Sequence, residues 1–198
     1  MKLFPWRKSA SEFKPDPKTA TWTKTLHMTA LQRLRLGKWA LYGVCLLMCL
    51  VVQDVVMSRI RLFGGTTDLV VCGILLITML EGTEVGSLFV LISSCLYYFS
   101  GSAPGAFSVG LLTFLGIAAT LLRQMYLHRS KGSVVLCSCL AAVGYELGLF
   151  IVGIFSELTL FSRLPSFLVT SAACVITIIP LYKLIYKIGL IGGNTWKE

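Results

Sequence analysis

Charge is what this sequence has least of. Only 14% of its 198 residues are charged, against 56% hydrophobic, and the mean hydropathy is +0.79. A soluble domain carries about 25% charged residues. The polar surface needed to stay dissolved is missing, and an integral membrane protein is expected. Histidine is almost absent: His27 and His128 are the two present, and both fall outside the apolar runs. The HExxH, GxxxxGK[ST] and GxSxG patterns are lacking. The apolar runs offer no set of metal ligands. No catalytic residue, metal or cofactor is therefore expected. Residues 1–38 are too polar for the apolar core of a signal peptide, and none is expected. The seven cysteines include no CxxC pair; Cys137-Ser138-Cys139 falls one residue short. They are read as small, polarizable packing residues.

What is present is a series of apolar runs, at about 39–57, 67–80, 83–99, 106–122, 133–155 and 166–187. A helix needs roughly 20 apolar residues to cross the hydrocarbon of a bilayer. The runs are continuous rather than alternating, which excludes a β-barrel. The fold class expected is an all-α bundle of six transmembrane helices. The second run is short, and reaches a full span only if it starts at Leu62-Phe63. The charged turn Glu81-Gly82-Thr83-Glu84 separates it from the third run.

The net charge of +9 is concentrated at one end of the chain. Residues 1–38 hold nine of the eighteen Lys and Arg, with only Glu12 and Asp16 to offset them. No recognition motif accompanies this charge, so nucleic acid is not expected as a partner. Basic flanks are first a topology signal. With six spans, fifteen Lys and Arg fall on the side of the termini and three (Arg59, Arg61, Arg163) on the other. Both termini are thus expected in the cytoplasm. The expected organisation is a basic tail over 1–38, a membrane domain over 39–187 and a short cytoplasmic tail over 188–198. Within the first tail, residues 1–25 read as disordered. Residues 26–38 read as an amphipathic helix on the lipid surface, held by Arg33, Arg35 and Lys38.

Polar residues inside the spans are costly and therefore informative. Gln53 and Asp54 come late in the first run, with Asp54 roughly 22 Å along its helix. Glu146 lies roughly 20 Å along the fifth, which runs the same way. These acids are expected to share a layer in the outer half of the membrane. They either bind something there or lock the bundle internally, Glu146 as a neutral, hydrogen-bonded acid. Asp68 and Glu84 open the second and third spans, where an acid suits the helix dipole. Glu81 closes the second, where the dipole disfavours it, and is expected to meet a cation on a partner. Gly82 with Gly86, and Gly144 with Gly148, have the spacing that lets helices approach closely. Pro180 is expected to kink the sixth span.

In order along the chain, these features resemble the MreD family of rod-shape-determining membrane proteins. The resemblance spans about residues 40–187. It rests on Gln53, Leu62-Phe63-Gly64, Asp68-Leu69, Glu81-Gly82-Thr83-Glu84-Val85-Gly86, Ser100-Gly101 before Pro104-Gly105, and Tyr145-Glu146-Leu147. Tyr97 stands where the family often has an acid. The resemblance implies a non-catalytic scaffold in the bacterial cytoplasmic membrane, binding the single-span protein MreC. It implies a place in the cell-wall elongation complex, with a glycan polymerase, a transpeptidase and, indirectly, MreB filaments. It also implies a fold similar to the S components of vitamin importers. From that similarity comes the alternative expectation, a small-solute-binding subunit of a transporter.

Overall fold

The computed structural model describes residues 30–57, 59, 67–126, 130–155 and 164–191. All regular structure among them is helical: α1 (Ala30–Val52), running into a π-helical turn (Gln53–Met57), α2 (Leu69–Glu81), α3 (Thr83–Phe99), α4 (Ala106–Tyr126), α5 (Lys131–Phe155) and α6 (Leu164–Ile191). Four stretches are long and apolar enough to cross a membrane: Gln32–Met57, Ala106–Met125, Lys131–Phe155 and Leu164–Leu190. The apolar helices α2 and α3 are shorter.

Contacts between side chains fix the directions. Lys38 and Tyr42 of α1 meet Glu81, at the far end of α2, whereas Gln53 meets Val70 near its start. Ser94 pairs with Thr113 and Thr83 with Gln124, so α4 runs back along α3. Gly144 and Gly148 of α5 face Leu115 and Leu111 of α4 in the same reversed order. Glu146 meets Cys174 and Phe150 stacks on Phe167, which reverses α6 against α5. Consecutive helices are antiparallel throughout. Ala30 and Ile191 therefore lie at the same end of the bundle.

At its centre stands α2. Every residue from Val70 to Leu80 is buried, and the helix touches all five others. A helix that is apolar on all sides belongs inside a structure, and this one is walled in by protein. The remaining helices expose large apolar side chains outward, including Leu47 and Met48 on α1, Leu88 and Leu96 on α3, Phe114 on α4, Leu140 on α5 and Ile176 on α6. Around the ring, α3 packs on α4, α4 on α5, α5 on α6 and α6 on α1. Aromatic contact of Trp39 with Phe89 helps bridge α1 to α3.

Three expected boundaries are corrected. Thr67 and Asp68 are not helical and α2 begins at Leu69, two residues after the expected start of the run; Leu62-Phe63 lies outside the described residues. At about 1.5 Å per residue the 13 residues of α2 reach about 20 Å. Burial explains why so short a helix suffices: it has no lipid-facing length to match. Residues 30–38 are not a separate surface helix but the first turns of α1, continuous with the span. Arg33 and Arg35 are exposed there, while Lys38 is buried. At the other terminus α6 continues to Ile191, beyond the expected boundary at 187. Pro180 lies within that helix. The readings of residues 1–25, 26–29 and 192–198 fall outside the described residues.

Candidate functional site

Two polar centres sit at opposite ends of the bundle, both anchored on α2. The first gathers around its C-terminal residue. The Lys38 Nζ lies 2.7 Å from Glu81 Oε2, and the Tyr42 hydroxyl donates to Glu81 Oε1 at 2.8 Å. Lys38 also lies over the rings of Trp39 and Tyr42, at 5.7 and 5.9 Å. Both members of the ion pair are buried, at 8% and 7% side-chain exposure. This corrects two expectations. The cation that compensates Glu81 comes from α1 of the same chain rather than from a partner. Lys38 is drawn off the lipid surface because a buried carboxylate needs it. Arg123, from the end of α4, donates to the Met79 carbonyl, where a helix C-terminus favours a cation. Thr83 donates to Gln124 and ties the start of α3 to the end of α4. Glu84 is exposed in the first turn of α3. Neither it nor Gly82, the residue at the cap position, supplies a side-chain cap.

The second centre lies where α2 begins. A helix start leaves backbone N–H groups without partners, and Asp68, in the cap position, does not bond them through its side chain. Instead Gln53, at the head of the π-helical turn, reaches across and accepts the Val70 N–H at 3.0 Å. Its amide then donates to Asp68 Oδ1 and to the Tyr97 hydroxyl, each at 3.4 Å. So the expected capping role of Asp68 passes to Gln53, which is buried for that purpose. π-helical turns are rare and cluster at functional sites. Here the turn sends Gln53 inward and leaves its neighbour Asp54 exposed. Asp54 Oδ1 accepts from Ser102 Oγ at 2.9 Å, and the Tyr97 hydroxyl donates to the Ser102 carbonyl at 3.3 Å.

Deeper in, Glu146 is 9% exposed. Its Oε1 is 4.0 Å from the Cys174 thiol of α6. The Cys72 thiol donates to the Cys174 carbonyl at 3.7 Å, and Thr177 donates to Cys72 Sγ at 3.9 Å. The structure thus places Gln53, Asp68 and Glu146 at one end of the bundle. Asp54 is exposed on the rim of that end. Sequence reasoning missed Tyr97, Tyr145, Ser171, Cys72 and Cys174 as members of this centre. The signal for Tyr97 was its position: a polar aromatic where the resemblance led to an acid, in the last turn of α3.

The glycines divide by task. A Cβ on Gly86 would stand 2.5 Å from the Thr78 carbonyl oxygen, so α2 and α3 touch backbone to side-chain position. A Cβ on Gly148 would stand 2.7 Å from Leu111 and one on Gly144 3.4 Å from Leu115, which makes both of them packing positions against α4 within the chain. Gly82 is no packing residue: it has open space around it and φ of +86°. It is needed because only glycine takes that conformation without cost in a one-residue link between helices. Gly116, not singled out from spacing, leaves room for Val90, which a Cβ there would meet at 2.9 Å. No group of three or more His, Cys, Asp or Glu suited to a metal occurs among the described residues. Comparison with known protein families, with curated proteins and with solved structures finds no match for this chain.

Proposed function

We propose that this chain is a non-catalytic membrane scaffold of the bacterial cell-wall elongation complex, of the kind the MreD resemblance implies. All six helices cross the cytoplasmic membrane in this reading, with both termini in the cytoplasm. The observation that carries it is how the polar residues of the resemblance are used. Gln53 caps α2, Gly82 makes the α2–α3 link, and Gly86 sets their approach. Glu81 is spent on an internal ion pair. Residues that hold a bundle together leave its apolar outer faces as the surface on which another helix can pack. Small residues and van der Waals fit drive such packing in lipid. The fifteen-to-three bias of Lys and Arg supports the cytoplasmic placement of the termini. The antiparallel order, which brings Ala30 and Ile191 to one end, agrees with it.

The direct test is co-purification in mild detergent with an MreC-like single-span protein from the same genome. A stoichiometric complex that survives size exclusion is expected, and loss of rod shape on depletion of this chain. Absence of the complex together with unchanged cell shape would overturn the reading.

A further inference from the structure

Every described Lys and Arg except Arg59 lies at the end of the bundle that holds Ala30 and Ile191. The acids described at that end are Glu81 and Glu84, and Glu81 is already matched by Lys38. The surplus is not spread evenly. Lys183 and Lys187, both exposed, stand four residues apart on α6, about 6 Å along one face of the helix. Lys131, exposed at the start of α5, comes to the same stretch from the neighbouring helix: its ammonium lies 5.7 Å from the centre of the Tyr186 ring. Tyr186 in turn stacks on Tyr182, with ring centroids 5.6 Å apart. Cations from two helices thus flank one stretch of α6, two on its open face and one held beside it by an aromatic ring.

A second observation is where Lys183 is attached. It precedes Tyr186, the residue level with the start of α5, by three positions, so it joins the helix about 4.5 Å further into the bundle. Its neighbours on the exposed face are Ile179, Pro180 and Leu184, and Ile176 continues that face inward. On α5, exposed Leu136 and Leu140 follow Lys131 in the same direction. Both helices are long and apolar enough to cross a membrane. A cation on such a face is costly unless its stem carries the ammonium back to the polar surface. Tyrosine belongs at that level too, with an apolar body and a wet tip. A charged head joined to apolar tails complements cations that stand above an apolar strip. An acidic protein segment would match the charge but leave the strip beneath it unused.

We propose that Lys131, Lys183 and Lys187 bind the phosphate of one anionic phospholipid, whose acyl chains lie along Leu184 and Ile179 of α6 and Leu136 of α5. Lys183 and Lys187 meet the phosphate oxygens from the open face of α6. Lys131, set over Tyr186, closes the site from α5. Lysines act as point charges rather than as a planar fork, so the site reads charge at the head and length in the tails. The inference rests on the chain lying in a membrane and not on the scaffold reading, since its test needs no partner.

The experiment titrates the full chain in detergent with phosphatidylglycerol or with phosphatidylcholine and counts bound lipids by native mass spectrometry. One phosphatidylglycerol is expected to bind about tenfold or more tightly than phosphatidylcholine, ahead of any further lipid. Lys183→Gln combined with Lys187→Gln should remove that preference, and Lys183→Arg with Lys187→Arg should keep it. Arg33→Gln with Arg35→Gln takes away the same charge from α1 and should change nothing. Equal binding of the two lipids, or a ladder of equal steps with no tight first molecule, would overturn the proposal. So would an equal loss in the α1 variant, which would mean diffuse attraction. Displacement of the lipid by millimolar inorganic phosphate would assign the site to a free anion and overturn it as well. A protein that co-purifies with the wild type and is lost from the Lys→Gln variant, with no lipid preference in either, would assign the cations to an acidic partner instead. Should the double Gln variant not fold, the wild-type preference and the single variant Lys187→Gln still decide.

Discussion

At the scale of single residues, the polar side chains of the spans divide by whether their needs are met within the chain. Lys38, Tyr42 and Glu81 form a closed group in which charge and hydrogen bonds are matched. Removing one member of a buried pair typically costs about 3–5 kcal/mol, because the other is left uncompensated. Lys38→Met is therefore expected to lower thermal stability in detergent sharply. Replacing Glu81 by Leu in the same chain should recover most of that loss, as apolar substitutes for a whole buried pair are often neutral. Melting curves of the single and double variants check this; a double variant as unstable as Lys38→Met would mean that the carboxylate serves Tyr42 more than Lys38. Legibility at this scale was uneven. That Gln53, Glu81 and Glu146 matter could be read from the expense of polar groups in hydrocarbon. Their partners could not, because Lys38 was read as a surface anchor and nothing singled out Tyr42. Pairing across 43 residues of sequence depends on helix register, and composition carries no register.

At the scale of helices, the apolar runs mark the elements closely. The third run, 83–99, coincides with α3, and the fourth and fifth start or end within a few residues of α4 and α5. Hydropathy works here because continuous apolar length leaves the backbone little choice but a helix. It failed at α1, where nothing in residues 30–38 breaks the helix before the span starts. It also gave no hint that α2 is central, since a helix facing lipid and one facing protein are equally apolar. Contact between helices yields a prediction with a built-in contrast. Gly86→Ala would drive a Cβ to 2.5 Å from the backbone oxygen of Thr78, whereas Gly148→Ala meets only the Leu111 side chain. Overpacking that cannot relax costs about 1–3 kcal/mol. The Gly86 variant is expected to melt well below the wild type and the Gly148 variant to lose less, as Leu111 can change rotamer. Equal losses would show that α4 and α5 are as rigidly set as α2 and α3.

At the scale of the whole molecule, parity and charge agree. Among the described residues, six antiparallel helices put Ala30 and Ile191 at one end, together with Lys38, Arg123 and Lys131, whose ammonium lies over the Tyr186 ring. Reporter domains joined after Glu198 and between Phe155 and Leu164 are expected on opposite sides of the membrane, the first in the cytoplasm; finding both on one side would overturn the proposed six-span topology. The position of α2 has a consequence for how such a molecule comes into being. A segment of 13 residues preceded by Asp68 and ending in Glu81 is a poor candidate to enter a bilayer alone. With only Gly82 between them, α2 and α3 can enter as one unit, a stub carried by the helix after it. Its final surroundings do not yet exist at that moment, because α4, α5 and α6 are synthesised later. For the time it takes to make some hundred further residues, the most protected helix of the finished protein is the one most in need of company. A quality-control protease or a chaperone of the membrane would meet it then, and sequence changes that leave the mature structure untouched can still decide how much of it is made.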